Sequence, residues 1–407
     1  MRDFRNLRCA FVCLLAIALL LVTLPPPIAA QDVTYTITDL GPLAGSESKA
    51  YGLNRTGRVV GESSTSGGAG FRNPVVWNNG VVGDIATFGG VAGSAFAVND
   101  IGYAVGGADN SSTQTHAFIW SDIFGKKDLG TLGGSTSIAT DINNANQVVG
   151  QSEFGGPGSL LNRGYVWDNT NGSVLIPTLG GSSNAARGIN DSGHIVGYSD
   201  TASGEQHGFF LAAGVNHDIP TLGGTLSIAN EVNNNGQVVG YSTLVSGTLN
   251  PPYHAFVWLP GTTPTDIGTL TGGTKSIAYD INDSGEIVGA AEIAPGVSRA
   301  FVWNATSGMR NLNDLAPGSG WTLQEARGIN AKGQIVGFGL NPSGFTHGFL
   351  ATLNIDEIPG GEPPPCFVQP STPIIMPRAT VVSSRRAPKK AINRVPSLRA
   401  RLEEIRF

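Results

Sequence analysis

The sequence predicts an all-β fold, a seven-bladed β-propeller of four-stranded blades that is closed by a strand from near the N-terminus. Three observations predict it: a unit repeated seven times, four short strand-like segments in each unit, and an incomplete unit at each end of the array. The composition agrees, because 57 of the 407 residues are Gly and 40% are hydrophobic. Short apolar runs separated by Gly, Asn, Ser and Thr are typical of proteins built from many short strands.

The repeat is visible in a short pattern that occurs seven times. The copies read YGLNRTGRVVG, FAVNDIGYAVG, TDINNANQVVG, RGINDSGHIVG, NEVNNNGQVVG, YDINDSGEIVG and RGINAKGQIVG. All copies share one Asn, here called the anchoring Asn, which is Asn54, Asn99, Asn143, Asn190, Asn233, Asn282 or Asn330. Successive anchoring Asn residues are 43 to 49 residues apart, which is the period of a propeller blade.

Each unit contains four short apolar segments. Examples of the four, in order, are SIATDIN, QVVGQSE, HAFVW and DIGTL. Such segments, rich in Val, Ile, Phe and Trp, are predicted strands. The Asn-x-x-Gly between the first and second segments predicts a tight hairpin, because Asn and Gly tolerate the positive φ of such turns. Four strands per unit at this period favour a propeller.

The ends of the array predict how the ring closes. The sequence VTYTITDLGPL at 33–43 is a fourth segment without the first three, and the last unit ends in HGFLATLN without a clear fourth segment. An N-terminal strand that completes the last blade would remove an exposed sheet edge. The recurrent DLGTLGG at 128–134 is then an outer strand followed by a Gly-Gly crossing into the next blade. An open solenoid is the alternative, but it would need capping repeats, and none is recognisable.

The composition divides the chain into three parts. Residues 1–30 combine a basic start, an apolar run over 10–24 and small residues before Gln31, which predicts a secretory signal peptide. An uncleaved membrane anchor is the alternative, although the run is shorter than the roughly 20 residues that a spanning helix needs. Residues 31–358 are the predicted propeller domain.

Residues 359–407 form a Pro-rich tail with 9 basic and 3 acidic residues, a net charge of +6. We expect this tail to be disordered, with a short amphipathic helix near its end as an option. A basic tail can contact an anionic surface, such as a membrane, a cell-wall polymer or the acidic face of the propeller itself. The tail holds Cys366, the one Cys after the predicted signal, so no intramolecular disulfide is expected. Cys366 is either an inert thiol or a site of intermolecular pairing.

The phrases HAFIW and HAFVW, flanked by GTLGG and by IN-x-x-GQVVG, resemble the HAF-type extracellular repeat family of bacterial proteins. The resemblance covers about residues 31–353. It implies a secreted protein of bacterial origin, and it brings no catalytic residues. Two copies depart from the pattern, since the first unit has NPVVW and the fourth has HGFFL.

Four of the six His residues occupy one equivalent position at the start of the third segment, and Asn73, Arg163 and Arg299 take it in the other units. These histidines are His116, His207, His254 and His347. A shared metal ion would need imidazole nitrogens within about 2.1 Å, and different blades would hold them too far apart. We therefore expect a structural role, a hydrogen bond to the neighbouring loop, with a ligand-contacting ring as the alternative.

No cofactor and no catalytic residue are predicted. The sequence DINDSG at 280–285 begins like a calcium loop, but the later acidic ligand is missing, so calcium is only an alternative to a hairpin. No two acids stand apart from their repeat copies as a glycosidase pair would. Residues 31–358 carry 26 acidic and 13 basic residues, which argues against nucleic-acid binding, because a phosphate-contacting surface is basic.

The loops between the second and third segments vary most in length, and in a four-stranded blade they share one face with the Gly-Gly crossings. Aromatic and Arg side chains on variable loops are favoured in binding surfaces. We therefore predict a candidate ligand face there, of Phe71, Arg72, Arg163, Tyr253, His254 and Arg299.

A second varied position lies three residues before each anchoring Asn and directly after an Ala that all seven copies share. Its side chains either line the central channel or pack in the core. They belong to Tyr51, Phe96, Thr140, Arg187, Asn230, Tyr279 and Arg327.

The sequence thus favours a secreted or cell-surface repeat protein that binds or scaffolds an extracellular ligand and does not catalyse a reaction. A glycan or a protein is the expected partner. Two alternatives stay open. One is a propeller enzyme that acts on extracellular polysaccharide. The other is a structural component of the cell envelope that is attached through its basic tail.

Overall fold

The computed structural model describes residues 33–67, 70–247 and 250–354. Within these ranges the chain contains only β-strands and connecting turns, arranged as a seven-bladed propeller of four-stranded antiparallel blades. No helix there is long and apolar enough to cross a membrane. The predicted signal peptide (1–30), the tail (359–407) and Cys366 lie outside the described residues.

The strands fall into four groups by their place in the blade. The innermost strands are β2 (Ser48–Leu53), β6 (Gly89–Val98), β10 (Gly133–Ile142), β14 (Gly180–Ile189), β18 (Ser227–Val232), β22 (Ser276–Ile281) and β26 (Thr322–Ile329). The second strands are β3 (Val59–Ser64), β7 (Ala104–Asn110), β11 (Val148–Phe154), β15 (Ile195–Thr201), β19 (Val238–Thr243), β23 (Ile287–Ala294) and β27 (Ile335–Leu340). The third strands are β4 (Arg72–Asn78), β8 (Thr115–Ser121), β12 (Asn162–Asp168), β16 (Gln206–Ala212), β20 (Tyr253–Trp258), β24 (Val297–Asn304) and β28 (Thr346–Asn354). The outer strands are β5 (Val81–Asp84), β9 (Gly125–Gly130), β13 (Gly172–Leu175), β17 (Val215–Ile219), β21 (Thr265–Asp266), β25 (Gly308–Asn311) and β1 (Thr34–Asp39).

The ring closes through its N-terminal strand, as predicted. Strand β1 pairs antiparallel with β28 over six residue pairs, from Thr34 with Asn354 to Asp39 with Phe349. It supplies the fourth strand of blade 7, whose other strands are β26, β27 and β28. The innermost strand of each blade contacts that of the next, and β26 contacts β2, so the seven innermost strands surround a central channel.

The anchoring Asn residues hold the blades together in a way that the hairpin prediction did not include. The side-chain Nδ2 of each donates to the backbone carbonyl of the next anchoring Asn, at 2.9 to 3.2 Å. The last link runs from Asn330 to Asn54, so the seven bonds form a closed ring. The Asn does not adopt positive φ, and that conformation falls on the fourth turn residue, for example Gly57 at φ 92°. The turn prediction was therefore right for the fourth residue, which is Gly in six blades and Asn146 at φ 59° in blade 3, and wrong for the anchoring Asn.

The Gly-Gly crossings have two different physical reasons. The first Gly of a pair, such as Gly133, lies at positive φ, which L-residues with a side chain rarely adopt. The second, such as Gly134, touches the second strand of the same blade, and an added Cβ would lie 2.5 Å from the Glu153 side chain. The recurrence of DLGTLGG thus reflects one sharp turn and one close approach in each crossing.

The HAF triplet has one role for each of its residues. In blade 2, the His116 ring bonds to Asp128 on the outer strand, and the Ala117 amide donates to Ser137 of the next blade. Phe118 is fully buried between the blades. Its ring lies under Gly106, where an added Cβ would be 2.9 Å away. The nearest atom to an added Cβ at this Gly is a carbonyl oxygen of the innermost strand in all seven blades, and in four of them the aromatic side chain of the triplet is also close.

Candidate functional site

The propeller has two faces, which are named here by their connections. The turn face carries the Asn-x-x-Gly hairpins and the hairpins between third and outer strands. The crossing face carries the variable loops and the Gly-Gly crossings. The two kinds of connection meet on the crossing face, as expected, because Phe88 in one crossing bonds through its amide to Asp109 at the end of β7.

The predicted ligand face lies on the crossing face, but its residues are spread over blades 1, 3, 5 and 6. Phe71 is exposed. Arg72 forms ion pairs with Glu62 at 2.7 Å and Glu47 at 3.0 Å. The Tyr253 ring lies 5.4 Å from that of Tyr241. In the described ranges, no hydrogen bond or ion pair joins two members of the predicted set.

Three members of that set stand at the start of third strands and are held by their surroundings. Arg163 donates to Asn184 of the next blade and to the Ile176 carbonyl, at 3.2 and 3.1 Å. Arg299 donates to the carbonyl of its neighbour Ser298. His254 bonds to Asp266. Because these side chains already bond to groups of the protein, they are weaker candidates for ligand contact than Phe71 and Tyr253.

All four equivalent histidines bond to an Asp on the outer strand of their own blade. The Nδ1 atoms approach the carboxylates to 2.8 or 2.9 Å, in the pairs His116–Asp128, His207–Asp218, His254–Asp266 and His347–Asp39. The Asp is the first residue of DLG in blades 2 and 7, of DIG in blade 5 and of DIP in blade 4. In blade 7 it comes from β1, so His347 helps to fix the closing strand.

The central channel forms a cavity with a volume of about 900 Å³. All seven side chains of the varied position face it, so the channel alternative is the right one for that position. We call these seven residues the channel ring: Tyr51, Phe96, Thr140, Arg187, Asn230, Tyr279 and Arg327.

A β-bulge turns the channel ring inward. In every innermost strand the pairing with the second strand shifts between the shared Ala and the residue two positions later, as between Ala139 and Asp141. The residue between them, here Thr140, is left out of the ladder. A bulge bends the strand and redirects side chains. The ring position and its neighbour at Asp141 can therefore both face the channel.

The channel ring has an aromatic and cationic side formed by blades 6, 7, 1 and 2. The Arg327 guanidinium lies 3.9 Å from the Tyr279 ring centre and is ion-paired with Glu325. The Tyr51 and Phe96 rings are 5.6 Å apart. On the other side, the exposed Arg187 is oriented by Asn230 and Tyr198.

The residue after the ring position is acidic in three blades, and these acids share the channel. They are Asp141, Glu231 and Asp280. Burial raises the pKa of Asp141 to about 7, helped by the charges of Asp280 and Asp191. Burial likewise raises the pKa of Asp280 to about 6. For Glu231, burial and the charges of Asp141 and Asp280 raise the pKa well above its ordinary value.

The mouth of the channel on the turn face has an alternating acid and amide border. Each side chain accepts from the backbone amide of the preceding blade, as Asp100 does from Arg55 at 2.9 Å. We call this border the collar: Asp100, Asn144, Asp191, Asn234 and Asp283. The alternation keeps carboxylates from adjoining one another, since Asn144 donates to both of its Asp neighbours.

The DINDSG segment uses its oxygens within the protein. Asp280 accepts from the Ile281 and Ile329 amides, both at 2.7 Å. Asn282 accepts from the amides of its own turn, and Asp283 accepts from Asn234. Across the described residues, no group of three or more His, Cys, Asp or Glu side chains is arranged to hold a metal ion.

The buried carboxyls predict an unusual pH dependence of stability. A raised folded-state pKa means that the native chain binds more protons than the unfolded chain between about pH 4 and 7, so stability falls as pH rises through this window. We expect the melting temperature to be a few degrees higher at pH 5.5 than at pH 8. Glu231→Gln should raise stability at pH 8 by roughly 1 kcal/mol, discounted for water in the channel.

Scanning calorimetry from pH 5.5 to 8 measures this effect, and Asp314→Asn, which removes an exposed carboxylate away from the channel, is the control. Unchanged stability of Glu231→Gln at pH 8, relative to the original chain and to this control, would contradict the raised pKa of Glu231 and the cost of its ionised form.

Comparison with known proteins gives a family of unknown role and distant propeller structures. Residues 223–343, under a third of the chain, match the family described as "Protein of unknown function (DUF3466)". No curated protein sequence matches the chain. Structural similarity extends to TolB from Acinetobacter baumannii, at 11% identity and a TM-score of 0.41, over 62% of this chain and 65% of TolB. The chain thus matches slightly less than two thirds of the length of TolB.

Other similar structures include enzymes. A gluconolactonase from Xanthomonas campestris matches over 79% of this chain and 90% of its own, at 9% identity and a TM-score of 0.38. A puromycin-hydrolyzing peptidase from Mycobacterium tuberculosis matches over 80% and 55%, at 12% identity and a TM-score of 0.45. At such low identity these similarities concern the fold alone.

Sequence reasoning placed the channel ring correctly as one of two options, but it did not single out the channel acids. The signal was present: the residue two positions before the anchoring Asn is Gly or Ala in four copies and acidic in Asp141, Glu231 and Asp280. A small residue suits close packing there, since an added Cβ at Gly52 would lie 2.5 Å from the Phe96 carbonyl oxygen. Asp141, Glu231 and Asp280 depart from this small-residue pattern, and that departure is the sequence signal for the channel acids.

Proposed function

We propose that the chain is a secreted or cell-surface binding protein that holds a polar ligand in its central channel and does not catalyse a reaction. One observation carries the proposal. The seven channel-ring positions are structurally equivalent and face one cavity, yet they hold Tyr, Phe, Thr, Arg, Asn, Tyr and Arg. The Ala before each of them and the anchoring Asn after it are the same in all blades.

The contrast between shared and varied positions supports this reading. Positions that repeat in every blade make the contacts that every blade needs, such as the ring of Asn hydrogen bonds. The varied position makes no contact that all blades share, although Thr140, Arg187 and Asn230 each bond to the next blade. A ligand without sevenfold symmetry would be met by different side chains from different blades. The varied ring is therefore the part of the propeller best suited to recognition.

The size and chemistry of the channel fit a glycan or a peptide. A volume of about 900 Å³ lies near the upper end of the range for small-ligand sites. Aromatic rings such as Tyr51 and Tyr279 can stack on sugar or aromatic groups. Arg187 and the channel acids can bond to hydroxyl, carboxylate or amide groups. The signal-like residues 1–30 and the resemblance to HAF-type repeats support an extracellular ligand.

Binding of the purified chain to glycan and peptide arrays tests the proposal. We expect selective binding that Tyr279→Ala and Arg187→Gln each weaken about tenfold or more, because both side chains line the channel. Phe71→Ala and Arg299→Gln are matched controls on the crossing face, and they should bind as the original chain does.

Three results would overturn the proposal. Loss of binding in the crossing-face variants alone would place recognition on the variable loops instead of the channel. Cleavage of a bound polysaccharide would make the protein an enzyme. Absence of any ligand across both arrays would favour a structural role in the envelope.

A further inference from the structure

Blade 2 differs from the other blades by an apolar cluster at the turn face. Ile101 belongs to its Asn-x-x-Gly turn, Tyr103 directly follows that turn, and Ile123 and Phe124 form the tip of the hairpin between β8 and β9. Ile101, Ile123 and Phe124 are 62%, 84% and 76% exposed. The Phe124 ring stacks on Tyr103 with 6.4 Å between centres. We call these four residues the blade 2 patch.

The equivalent positions in the other blades are polar or small. The residue that corresponds to Ile101 is Thr56, Ala145, Ser192, Asn235, Ser284 or Lys332. The tips that correspond to 122–124 read NNG, NTN, AAG, LPGTTP and ATS. Single apolar residues such as Val81, Val215 and Leu259 are exposed next to these tips. Only blade 2 of the described propeller combines apolar side chains from both turns, so blade repetition does not account for the patch.

The patch lies in charged surroundings. Asp100 of the collar precedes Ile101 and pairs with Arg55 at 3.6 Å, and Asp122 precedes Ile123 and pairs with Arg58 at 2.6 Å. Lys126 and Lys127 follow the patch in the chain. The collar also carries Asp191 and Asp283 at the channel mouth, and residues 31–358 have 26 acidic against 13 basic residues. A partner that is both apolar and basic would match the patch and the net negative charge of the propeller.

The chain itself contains such a segment. Residues 396–407 read PSLRARLEEIRF, with Leu398, Leu402 and Ile405 spaced to share one side of a helix. The segment has three Arg and two Glu residues, a net side-chain charge of +1. This segment lies outside the described residues, in a tail whose net charge over 359–407 is +6.

The connection from the propeller favours this occupant. Strand β28 ends at Asn354, beside the start of β1, and third strands end on the turn face, where the blade 2 patch also lies. Blade 2 is separated from blade 7 by blade 1 alone. The residues between 354 and 398 can span about 140 Å when extended, whereas a compact domain of this size is about 50 Å across. The tail is long enough to reach the patch.

We propose that the C-terminal segment 396–407 docks on the blade 2 patch, with its apolar side on Ile123 and Phe124 and its Arg residues toward Asp100, Asp122 and the collar. Docking within one chain has an effective concentration of about 1 mM. A segment that binds in trans with a Kd near 100 μM would then occupy the patch about nine tenths of the time. The docked segment would lie beside the turn-face mouth of the channel.

Hydrogen–deuterium exchange of the full chain from residue 31 tests the docking. The variant Leu398→Ser/Leu402→Ser/Ile405→Ser removes the apolar side of the segment and keeps its charge. We expect amides of residues 99–103 and 121–126 to exchange about five- to tenfold faster in this variant. The hairpin at 212–216 of blade 4 should not change. A synthetic peptide of residues 391–407, added to the variant, should restore the slow exchange.

A patch variant separates docking from other effects of the tail. Ile123→Ser/Phe124→Ser should prevent the peptide from binding, whereas Val215→Ser, an equally exposed position on blade 4, should not. Equal exchange at 99–103 and 121–126 with and without the apolar tail residues would overturn the proposal. Slow exchange that survives the tail variant but disappears on dilution would overturn it too and assign the patch to a second copy of the chain.

Discussion

Replacing Asn233 by Ala is expected to lower the free energy of unfolding by about 3 kcal/mol and the melting temperature by several degrees. Asn233 is 5% exposed. Its Nδ2 donates to the Asn282 carbonyl at 3.0 Å and to the Gln237 side chain at 2.8 Å. Its Oδ1 accepts from the amides of Asn235 and Gln237. Ala removes all four bonds and leaves buried polar groups without partners, which is costlier than the loss of exposed bonds.

Asn233→Asp separates the link between blades from the turn. An Asp keeps the acceptor oxygen for the turn amides but loses the donor to the next blade, and its second oxygen faces the Asn282 carbonyl. We expect it to be nearly as destabilising as Ala at neutral pH. Asn169→Ala, which removes an exposed Asn whose bond is to Lys127, is the control. If calorimetry gave the Asn233 variants a free energy of unfolding within about 0.5 kcal/mol of this control, the ring of Asn hydrogen bonds would not contribute to stability as expected.

Removing β1 is expected to have a still larger effect. A chain that begins at residue 42 lacks the six residue pairs with β28, the Asp39–His347 pair and the buried Tyr35 and Leu40. Blade 7 would keep three strands and expose the edge of β28 for association with other chains. We expect aggregation, or a melting temperature lowered by more than about 10 °C, in scanning calorimetry with light scattering.

Two further chains test whether the strand or its covalent position matters. A chain that begins at residue 33 keeps β1 and is the control. A chain that begins at residue 42 and carries GNG-TYTITDL directly after Asn354 supplies the same strand through a short hairpin, in the register seen in the structure. We expect it to recover most of the lost stability. Equal stability of the chains that begin at residues 33 and 42 would contradict closure by β1.

The fold could be predicted from the sequence because its information is repeated. Seven copies with one period, and the isolated fourth segment at 33–43, determine the number of blades and the closure. Each copy tests the strand assignments of the others, so a residue of low strand propensity in one blade does not change an assignment that the other copies support. The outer strands illustrate the limit, since β21 has two residues and β9 has six although their sequences are alike. Exposed edge strands depend on local twist more than on pattern.

The contacts between blades could not be predicted in the same way, because they join residues of different repeats that are 20 or more positions apart. Asn54 looks like a turn residue until its Nδ2 is seen on the Asn99 carbonyl. Ser137 looks like a surface residue, but it is buried and accepts from Ala117 of the preceding blade. In both cases a short polar side chain forms a hydrogen bond between two blades, whose sheets are not joined by a backbone ladder.

For the candidate site, too, the sequence could predict positions but not their contacts. The sequence indicated which positions vary, but it gave two places for variation, the loops and the ring, and no means to weigh them. The structure shows Arg163 and His254 of the loop set bonded to their own surroundings, whereas the ring side chains share one cavity. The bulge that brings Thr140 and Asp141 to the same channel has no sequence signal beyond the repeated Ala before it.

The most direct test of channel recognition is a crystal structure of the chain with the ligand that binds best on the arrays. The proposal predicts difference density inside the channel, in contact with ring residues of at least two blades, including Tyr279 or Arg187. Density on the variable loops around Phe71 and Tyr253, with a channel that contains only water, would contradict it.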